Sequence, residues 1–511
     1  MDTRDRVPAH STPAPDSSEP GFRGGSLTIG PKSPNLVVVV MDGARAVSFS
    51  GAGDARKART PCLDRLGSEG TLFSHAVAPG NWTLPSHLSI LTGTLPWVHR
   101  LRTFRQGSTP PPTIATWLHA RGYQTGVFTE EVHLVAGYGL ERGYDQRFCP
   151  VPASSDDDRT VTNRLFGHSK FLYSLSIRRL MAGLPPTAIP ITIPNFRAEI
   201  LFKETVCNPR TVEAFAQWIG SRDTERPFHA LLNFVDPHEP YELDASTRHL
   251  GLFARRYAAV PRFYLLSVPE LRDRVPWEAV ETAYLRSLEA VDRKVGQVRE
   301  ILENSGTLDR TLIVVTSDHG QSFGEGGNIY HGCGATDSVL RVPMVVRPPE
   351  GISVPRAVDR WVGLCDIASW LKSAALGGAP YDAEGYATVP FPTVSTSPDP
   401  VLAEGGPASD PNLSLEGVGS EYRWNHRLIA AYRGEDKYVL DLFVGDVRMW
   451  SGKGNPDREV PAVLSPTEAV EATRSVFGFR DPKELLDAGD QGRAPRRAPL
   501  EDRRMRSWGY D

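Results

Sequence analysis

The chain has 511 residues, of which 40% are hydrophobic and 23% charged. That composition can bury a sizeable core and excludes a wholly disordered, collagen-like or disulfide-framework protein. With 57 cationic against 61 anionic side chains the formal net charge is −4, so there is no electrostatic case for a nucleic-acid partner.

At ~150 residues per domain the length gives a loose prior of about three domain-sized units. Residues 1–33 are rich in Pro, Ser, Gly and charge and read as a disordered leader, without the apolar stretch of a secretory signal. The longest strongly apolar run, Leu36 to Met41, falls far short of the ~20 residues of a membrane span. These features predict a cytoplasmic protein with no membrane partner. Cys62, Cys149, Cys207, Cys333 and Cys365 are widely scattered with no Cys-x-x-Cys pair and read as reduced structural thiols.

In chain order, Leu36-Val37-Val38-Val39-Val40-Met41 has the β-branched character of a strand buried on both faces. Helical spacing follows near Pro61 to Gly70 and Thr113 to Gly122, then a short strand at Gly126-Val127-Phe128. Residues about 150–205, with an Asp156-Asp157-Asp158 run and the Pro185 to Pro194 stretch, read as a surface insertion that walls the pocket. Phe228 to Val235 and Leu312 to Thr316 are further strands, separated by helical periodicity over Val275 to Ser305 with Gly306 as its stop. Val342 to Val346 is one more strand. Residues 376–420 read as a Pro-, Gly- and Ser-rich linker or excursion, and residues 421–488 as a small C-terminal unit with a strand at Tyr438-Val439-Leu440. The tail 489–511 is polar. Strands alternating with helices predict an α/β fold: a large, mostly parallel sheet sandwiched by helices over residues 34–375, with a small C-terminal α+β subdomain.

Four polar clusters fall at strand ends or nearby loops, where open α/β sheets gather functional groups. Asp42 directly follows the valine strand, and an acid there either caps the next helix or binds a cation. Asp318-His319-Gly320 follows strand 312–316, with His331 beyond a glycine-rich loop; adjacent oxygen and nitrogen ligands suit Zn²⁺ or Mn²⁺, and a hydrogen-bonded turn is the simpler alternative. Asp236-Pro237-His238-Glu239-Pro240-Tyr241 follows strand 228–235, where prolines stiffen the loop presenting His238. Asn81-Trp82-Thr83-Leu84-Pro85-Ser86-His87 leads into a helix, so Thr83 is either a structural cap or a metal-activated nucleophile beside an anion-holding helix end.

In these residues the chain resembles the sulfatase branch of the alkaline phosphatase superfamily. Five landmarks occur in the family's order: the strand ending in Asp42, the Trp82-Thr83-Leu84-Pro85-Ser86-His87-x-x-x-Leu91-Thr92-Gly93 segment, Asp236-Pro237-His238-x-Pro240-Tyr241, the helix carrying Asp292, and Ser317-Asp318-His319-Gly320 followed by His331-Gly332. The resemblance covers roughly residues 35–370 and implies a metal-dependent phosphoric or sulfuric ester hydrolase. It implies that Asp42, Asp318 and His319 hold a divalent metal that Thr83 joins and that Thr83 attacks the substrate. His238 and His331 would contact the anion or, with Asp236, hold a second metal; Asn81 and His87 are candidate substrate contacts.

Two departures refine this. Sulfatases convert a Cys or Ser of a Cys-x-Pro-x-Arg-type motif to formylglycine, whereas Thr83 and His87 stand at the Cys and Arg positions here; threonine cannot give that aldehyde, and no formylglycine is expected. The superfamily's threonine nucleophiles belong to phosphoryl-transfer members. Gly43 replaces a second carboxylate and His319 adds a nitrogen ligand, which favours Zn²⁺ or Mn²⁺ over Ca²⁺ or Mg²⁺. The expectation is a hydrolase of a small-molecule phosphate mono- or diester. The alternatives are a soluble phosphoryl transferase to a small-molecule alcohol, a sulfate-ester hydrolase and a catalytically silent binding protein.

Overall fold

The computed structural model describes residues 33–49, 57–102, 110–131, 134–135, 139–150, 210–239, 241, 277–325, 328–382, 400–406, 426–442, 445–451 and 461–477. The leader, the insertion expected over 150–205, most of the 376–420 segment and the polar tail lie outside the described residues.

The strands, in chain order, are β1 (Asn35–Met41), β2 (Thr71–Val77), β3 (Gln124–Thr129), β4 (Gln146–Phe148), β5 (Phe228–Phe234), β6 (Thr311–Thr316), β7 (Ser322–Phe323), β8 (Ile329–Tyr330), β9 (Arg341–Arg347) and β10 (Ala357–Gly363). Eight of them form one sheet in the order β10-β2-β9-β6-β1-β5-β3-β4. Strand β9 runs antiparallel to both its neighbours, while every other pairing in this sheet is parallel. β7 and β8 make a separate two-stranded hairpin.

The valine strand lies at the centre, and its alternation decides what packs where. Val37, Val39 and Met41 face one layer, built from α1 (Pro61–Glu69), α5 (Arg210–Ser221) and α6 (Trp277–Asn304). Leu36, Val38 and Val40 face the other, built from α2 (Thr83–Thr92), α4 (Ile114–His119) and α8 (Asp366–Ala375). The short helices α3 (Pro96–His99) and α7 (Asp337–Leu340) lie between these longer ones in the chain. Every residue of β1 is buried, which is why it reads as an unbroken apolar run.

The α/β sandwich is therefore as expected from the sequence, with three corrections in detail. β2, β4 and β10 are not apparent from the sequence; β2 and β10 alternate buried with half-exposed positions and lack a continuous apolar run. The 342–346 segment is a strand but an antiparallel one. The 376–420 stretch contains β11 (Val401–Gly405), which belongs to a C-terminal antiparallel sheet with β12 (Leu428–Arg433), β13 (Asp436–Asp441), β14 (Val447–Trp450) and β15 (Ala462–Val463). One face of that sheet packs on α9 (Pro466–Ser475) through Ile429, Leu440, Ala469 and Ala472. The other covers Val77, Ala335 and Leu340 of the larger domain.

Two histidines are locked neutral within this frame. Burial pushes His99, whose Nε2 faces Ser89 Oγ at 3.1 Å, down to about 3. It pushes His229, whose Nδ1 donates to the Leu36 carbonyl at 3.2 Å, down to about 4. Both folded values lie below the unfolded value of about 6.5, so the unfolded chain takes up protons first as pH falls. Their contribution is complete above pH ~6.5 and is lost as pH drops toward 4, by about 2 kcal/mol for each histidine at pH ~5. Urea unfolding at these two pH values is expected to show the loss, and an unchanged unfolding free energy would contradict it.

Candidate active site

The parallel register aligns the ends of the three central strands. Val40 pairs with Asn233 on one side and Thr316 on the other, so Asp42 and Asp318 follow at one level of the sheet, with Asp236 one residue further along its chain. Gly43, at φ +82°, takes the left-handed turn that bends the chain away directly after Asp42. Ser317 ties β1 to β6: its hydroxyl proton is shared between the Met41 and His319 carbonyls, while its Oγ accepts from the Ala44 N–H at 2.9 Å. Gly320 completes the turn against α7, where a Cβ would lie 2.2 Å from the Ser338 carbonyl oxygen.

Asp42, Asp318 and His319 are fully buried and meet. Asp318 Oδ1 accepts the His319 N–H at 2.9 Å and the Gly43 N–H at 3.3 Å. His319 Nδ1 lies 2.9 Å from the Gly320 carbonyl, so it carries the proton and leaves the Nε2 lone pair facing inward. That Nε2 lies 3.4 Å from Asp42 Oδ1, 3.5 Å from Asp318 Oδ2 and 3.4 Å from Thr83 Oγ1. Both Asp42 oxygens and Asp318 Oδ2 are buried without a hydrogen-bond partner.

Burial, followed by the charges of Asp318, Glu131 and Glu239, holds the Asp42 carboxyl well above the usual range. Burial works in the same direction on Asp318, but His319, His87 and the backbone N–H groups of Gly43 and His319 hold that carboxyl below its ordinary value. Two orphaned carboxylates and an imidazole lone pair, with donor atoms within 4.8 Å of one another, fit a divalent cation with mixed oxygen and nitrogen ligands.

Thr83 is the first residue of α2, one place inside the helix. Trp82 occupies the cap position in extended conformation, and no side chain caps the helix there. All ten residues of α2 are buried, and Gly93 ends it in the left-handed conformation with its N–H on the Ser89 carbonyl at 2.9 Å. His87, one turn on, is buried with Nδ1 3.0 Å from the Thr83 carbonyl and 3.4 Å from Asp318 Oδ2. Its Nε2 is buried without a hydrogen-bond partner.

Asn81, read from the sequence as a substrate contact, is tied into the frame around the site. Its side-chain amide donates to the Gly334 and Gly406 carbonyls at 3.0 and 2.9 Å, and its backbone carbonyl accepts the Gly332 N–H at 2.7 Å.

His238, Glu239 and His331 form a second group of possible ligands within 4.8 Å. Asp236, expected beside these histidines, is paired instead with Lys294 at 2.7 Å, and Glu239 takes its place in the group. The Gln321 amide N–H groups donate to the Glu239 carboxylate and to the Tyr241 hydroxyl, the latter at 2.6 Å. Gln321 Oε1 therefore faces His331 Nδ1, 2.9 Å away, and that nitrogen carries the proton. Burial pushes His331 down to about 3. His238 Nδ1 donates to the Glu239 carbonyl at 2.6 Å. The rings of His319, His331 and His238 succeed one another at centroid separations of 4.4 and 4.6 Å.

Sequence reasoning passed over Glu130, Glu239, Lys294 and Gln321. Glu239 lies inside the singled-out Asp-Pro-His-Glu segment, and Glu130 directly follows β3, so strand-end position was the available signal for both. Asp292 has a supporting role: its carboxylate accepts the Cys62 and Leu63 N–H groups at 3.1 and 2.8 Å and caps α1.

This sheet, with its converging carboxylates and a hydroxyl at a buried helix start, is that of the alkaline phosphatase superfamily. Within it, the sulfatase family model matches residues 34–375, and the chain belongs to the sulfatase family. Mouse steryl-sulfatase is 27% identical over 397 residues, covering 66% of this chain and 61% of that protein. Choline-sulfatase of Rhizobium meliloti (strain 1021) is 23% identical over 338 residues, covering 62% and 63%. The chain thus spans about three-fifths of the length of these two curated relatives. Among solved structures, the phosphonate monoester hydrolase of Agrobacterium radiobacter aligns with TM-score 0.55 at 21% identity, covering 90% of this chain and 96% of its own. A putative sulfatase from Bacteroides thetaiotaomicron VPI-5482 aligns with TM-score 0.59 at 16% identity, covering 90% and 93%. At these identities the structural likeness is one of fold.

Metal binding is testable without turnover. Chelator-treated protein is expected to gain thermal stability on addition of Zn²⁺ or Mn²⁺, by about 2.7 kcal/mol at 100 times Kd. Asp42→Asn and Asp318→Asn are each expected to weaken binding about tenfold or more by titration calorimetry. Equal affinity in all three proteins would exclude the group as a metal site.

Proposed function

We propose that the protein is a divalent-metal-dependent hydrolase that cleaves a phosphate mono- or diester through a covalent ester on Thr83. The observation that carries the proposal is the placement of Thr83 Oγ1 on the first turn of α2, 3.4 Å from His319 Nε2 and beside the two orphaned carboxylates. Asp42, Asp318, His319 and Thr83 would hold the metal. When bound, it supplies positive charge that lowers the hydroxyl pKa and neutralises the phosphoryl oxygens.

The remaining work falls to the chain itself. The N–H groups of Thr83 and Leu84 open α2, where no side chain of the cap residue takes them, and a helix start of this kind favours an anion. Thr83 Oγ1 passes its proton to an imidazole and forms a bond to phosphorus as the bond to the leaving oxygen breaks, and that imidazolium returns the proton to the departing alkoxide. Water then attacks phosphorus, its proton passes to the imidazole, and Thr83 Oγ1 takes that proton as its bond to phosphorus breaks and is released as the hydroxyl. His238 and His331 suit the proton steps, because each has its Nδ1–H directed at an oxygen acceptor and leaves its Nε2 as the unprotonated nitrogen. His87 steadies Asp318 and the first turn of α2, a different task from a direct substrate contact.

Thr83 in place of a formylglycine-forming residue supports phosphoryl over sulfuryl chemistry. The curated relatives named above, both sulfatases, support sulfate esters, and the phosphonate monoester hydrolase neighbour supports a phosphorus-centred substrate. No described helix is long and apolar enough to cross a membrane. A metal-reconstituted screen over phosphomonoesters, phosphodiesters, phosphonate esters and sulfate esters is expected to show preference for a phosphorus ester; preference for sulfate would replace this reading. Thr83→Ala is expected to lower kcat/KM by roughly 10³-fold or more while keeping the metal-induced thermal shift. Wild-type turnover in that variant would remove Thr83 from the role of nucleophile.

A further inference from the structure

We infer that Lys294 is a positioning residue for the loop that presents His238, acting through a buried ion triad with Glu130 and Asp236; this rests on the functional reading above. Lys294 lies within α6, on the face that packs beneath the ends of β3 and β5, and is 8% exposed. Its ammonium is 2.6 Å from Glu130 Oε1 and 2.7 Å from Asp236 Oδ2. The Phe234 ring lies 5.1 Å from the same nitrogen.

The triad grips the loop at its root. Glu130 holds it twice more, its N–H donating to the Asn233 carbonyl at 3.0 Å and its Oε2 accepting the Val235 N–H at 3.0 Å. From there the His238 N–H closes a turn on the Val235 carbonyl at 3.1 Å. His238 is joined to Glu239, Glu239 to Gln321, and Gln321 to His331. The placement of both imidazoles, which succeed the His319 ring in turn at centroid separations of 4.4 and 4.6 Å, is therefore referred back to the Lys294 ammonium.

The energetics are those of a buried ammonium shared by two carboxyl groups, with burial and the charge of Asp236 pushing Glu130 up to about 8. Each member would be costly to bury alone, and short charge-assisted contacts offset that cost only while all three are present. Without the ammonium, Glu130 Oε1 and Asp236 Oδ2 lose the donor that joins them, and the peptide that leads into His238 loses that anchor. A tie that served stability alone would lower the melting temperature and leave the imidazoles where they are. The positioning role predicts that they move.

The test uses full-length, metal-loaded protein labelled with ¹³C-histidine, with bis(p-nitrophenyl) phosphate as the substrate probe. Lys294→Met is expected to lower kcat by about tenfold or more with a smaller change in KM. Lys294→Arg, which can pair both carboxylates, is expected to recover activity to within about threefold of wild type. The ring resonances of His238 and His331, assigned through His238→Gln and His331→Gln, should shift in Lys294→Met. Those of His426, which pairs with Asp441 at 2.7 Å in the C-terminal sheet, should stay in place.

Unmoved His238 and His331 resonances, or a kcat within about twofold of wild type, would overturn the inference. If Lys294→Met does not fold, Glu130→Gln removes one charge without changing shape and is judged by the same two criteria. Absence of any ester turnover by the wild-type protein would refute the functional reading, and the resonance shifts would still decide the role of Lys294.

Discussion

Two carboxylates buried side by side at the ends of adjacent parallel strands are the constraint on which the rest of this molecule turns. Asp42 and Asp318 lie at full burial, and neither can be left ionised there without a compensating cation. The fold brings them together because β1 and β6 pair in parallel, with Val40 opposite Thr316, so the residue two places beyond each emerges at the same height. The surroundings treat the two differently. Asp318 is satisfied on one oxygen by two backbone N–H groups, while both oxygens of Asp42 are left without partners. The second oxygen of Asp318, the whole carboxylate of Asp42 and the His319 lone pair therefore converge on the end of α2 that carries Thr83.

The frame that holds this convergence extends beyond the large sheet. The loop before α2 and the loop after His331 are both tied to the start of the C-terminal sheet. Asn81 bridges Gly334 and Gly406, and the Glu404 N–H donates to the Pro79 carbonyl at 2.9 Å. The buried Glu404 carboxylate takes Arg102 from the large domain and Arg427 from beside β12. Asp337, at the start of α7, accepts from Tyr432 and Lys437 at 2.7 and 2.6 Å. Loops alone would leave a nucleophile and its facing imidazoles free to drift. Here the loop before Thr83 and the loop after His331 are braced against the same antiparallel sheet, which makes that sheet part of the site's architecture.

What the sequence discloses follows from how local each signal is. The valine strand is legible because both its faces are buried and nothing interrupts the run. The Asp42, Thr83, Asp318 and His319 cluster is legible because each sits at the end of an element whose type can be read. β2 is not, since Leu72 is 43% exposed and His75 half-buried on its outer face, so the strand shows no continuous apolar stretch. For Asn81 the limit is similar: only tertiary register reveals the two carbonyls that its amide bridges. Lys294 and Glu130 are separated by 164 residues, and no periodicity in either segment announces a partner.

The histidines complete the charge balance. His238, His319 and His331 each direct Nδ1 at an oxygen acceptor, and burial holds His331 and His319 below the ordinary imidazole value. His319 and His331, fixed this way, contribute lone pairs and no positive charge. Lys294, the nearby buried ammonium, is committed to Glu130 and Asp236 and cannot reach toward an anion without releasing them. In the proposed reaction, attraction for an anionic ester therefore rests on the cation held by Asp42, Asp318 and His319 and on the first turn of α2. The imidazoles are left to take and return protons. This division explains why Thr83 lies where those two sources of positive potential meet, and why the loop that carries His238 needs to be held from below.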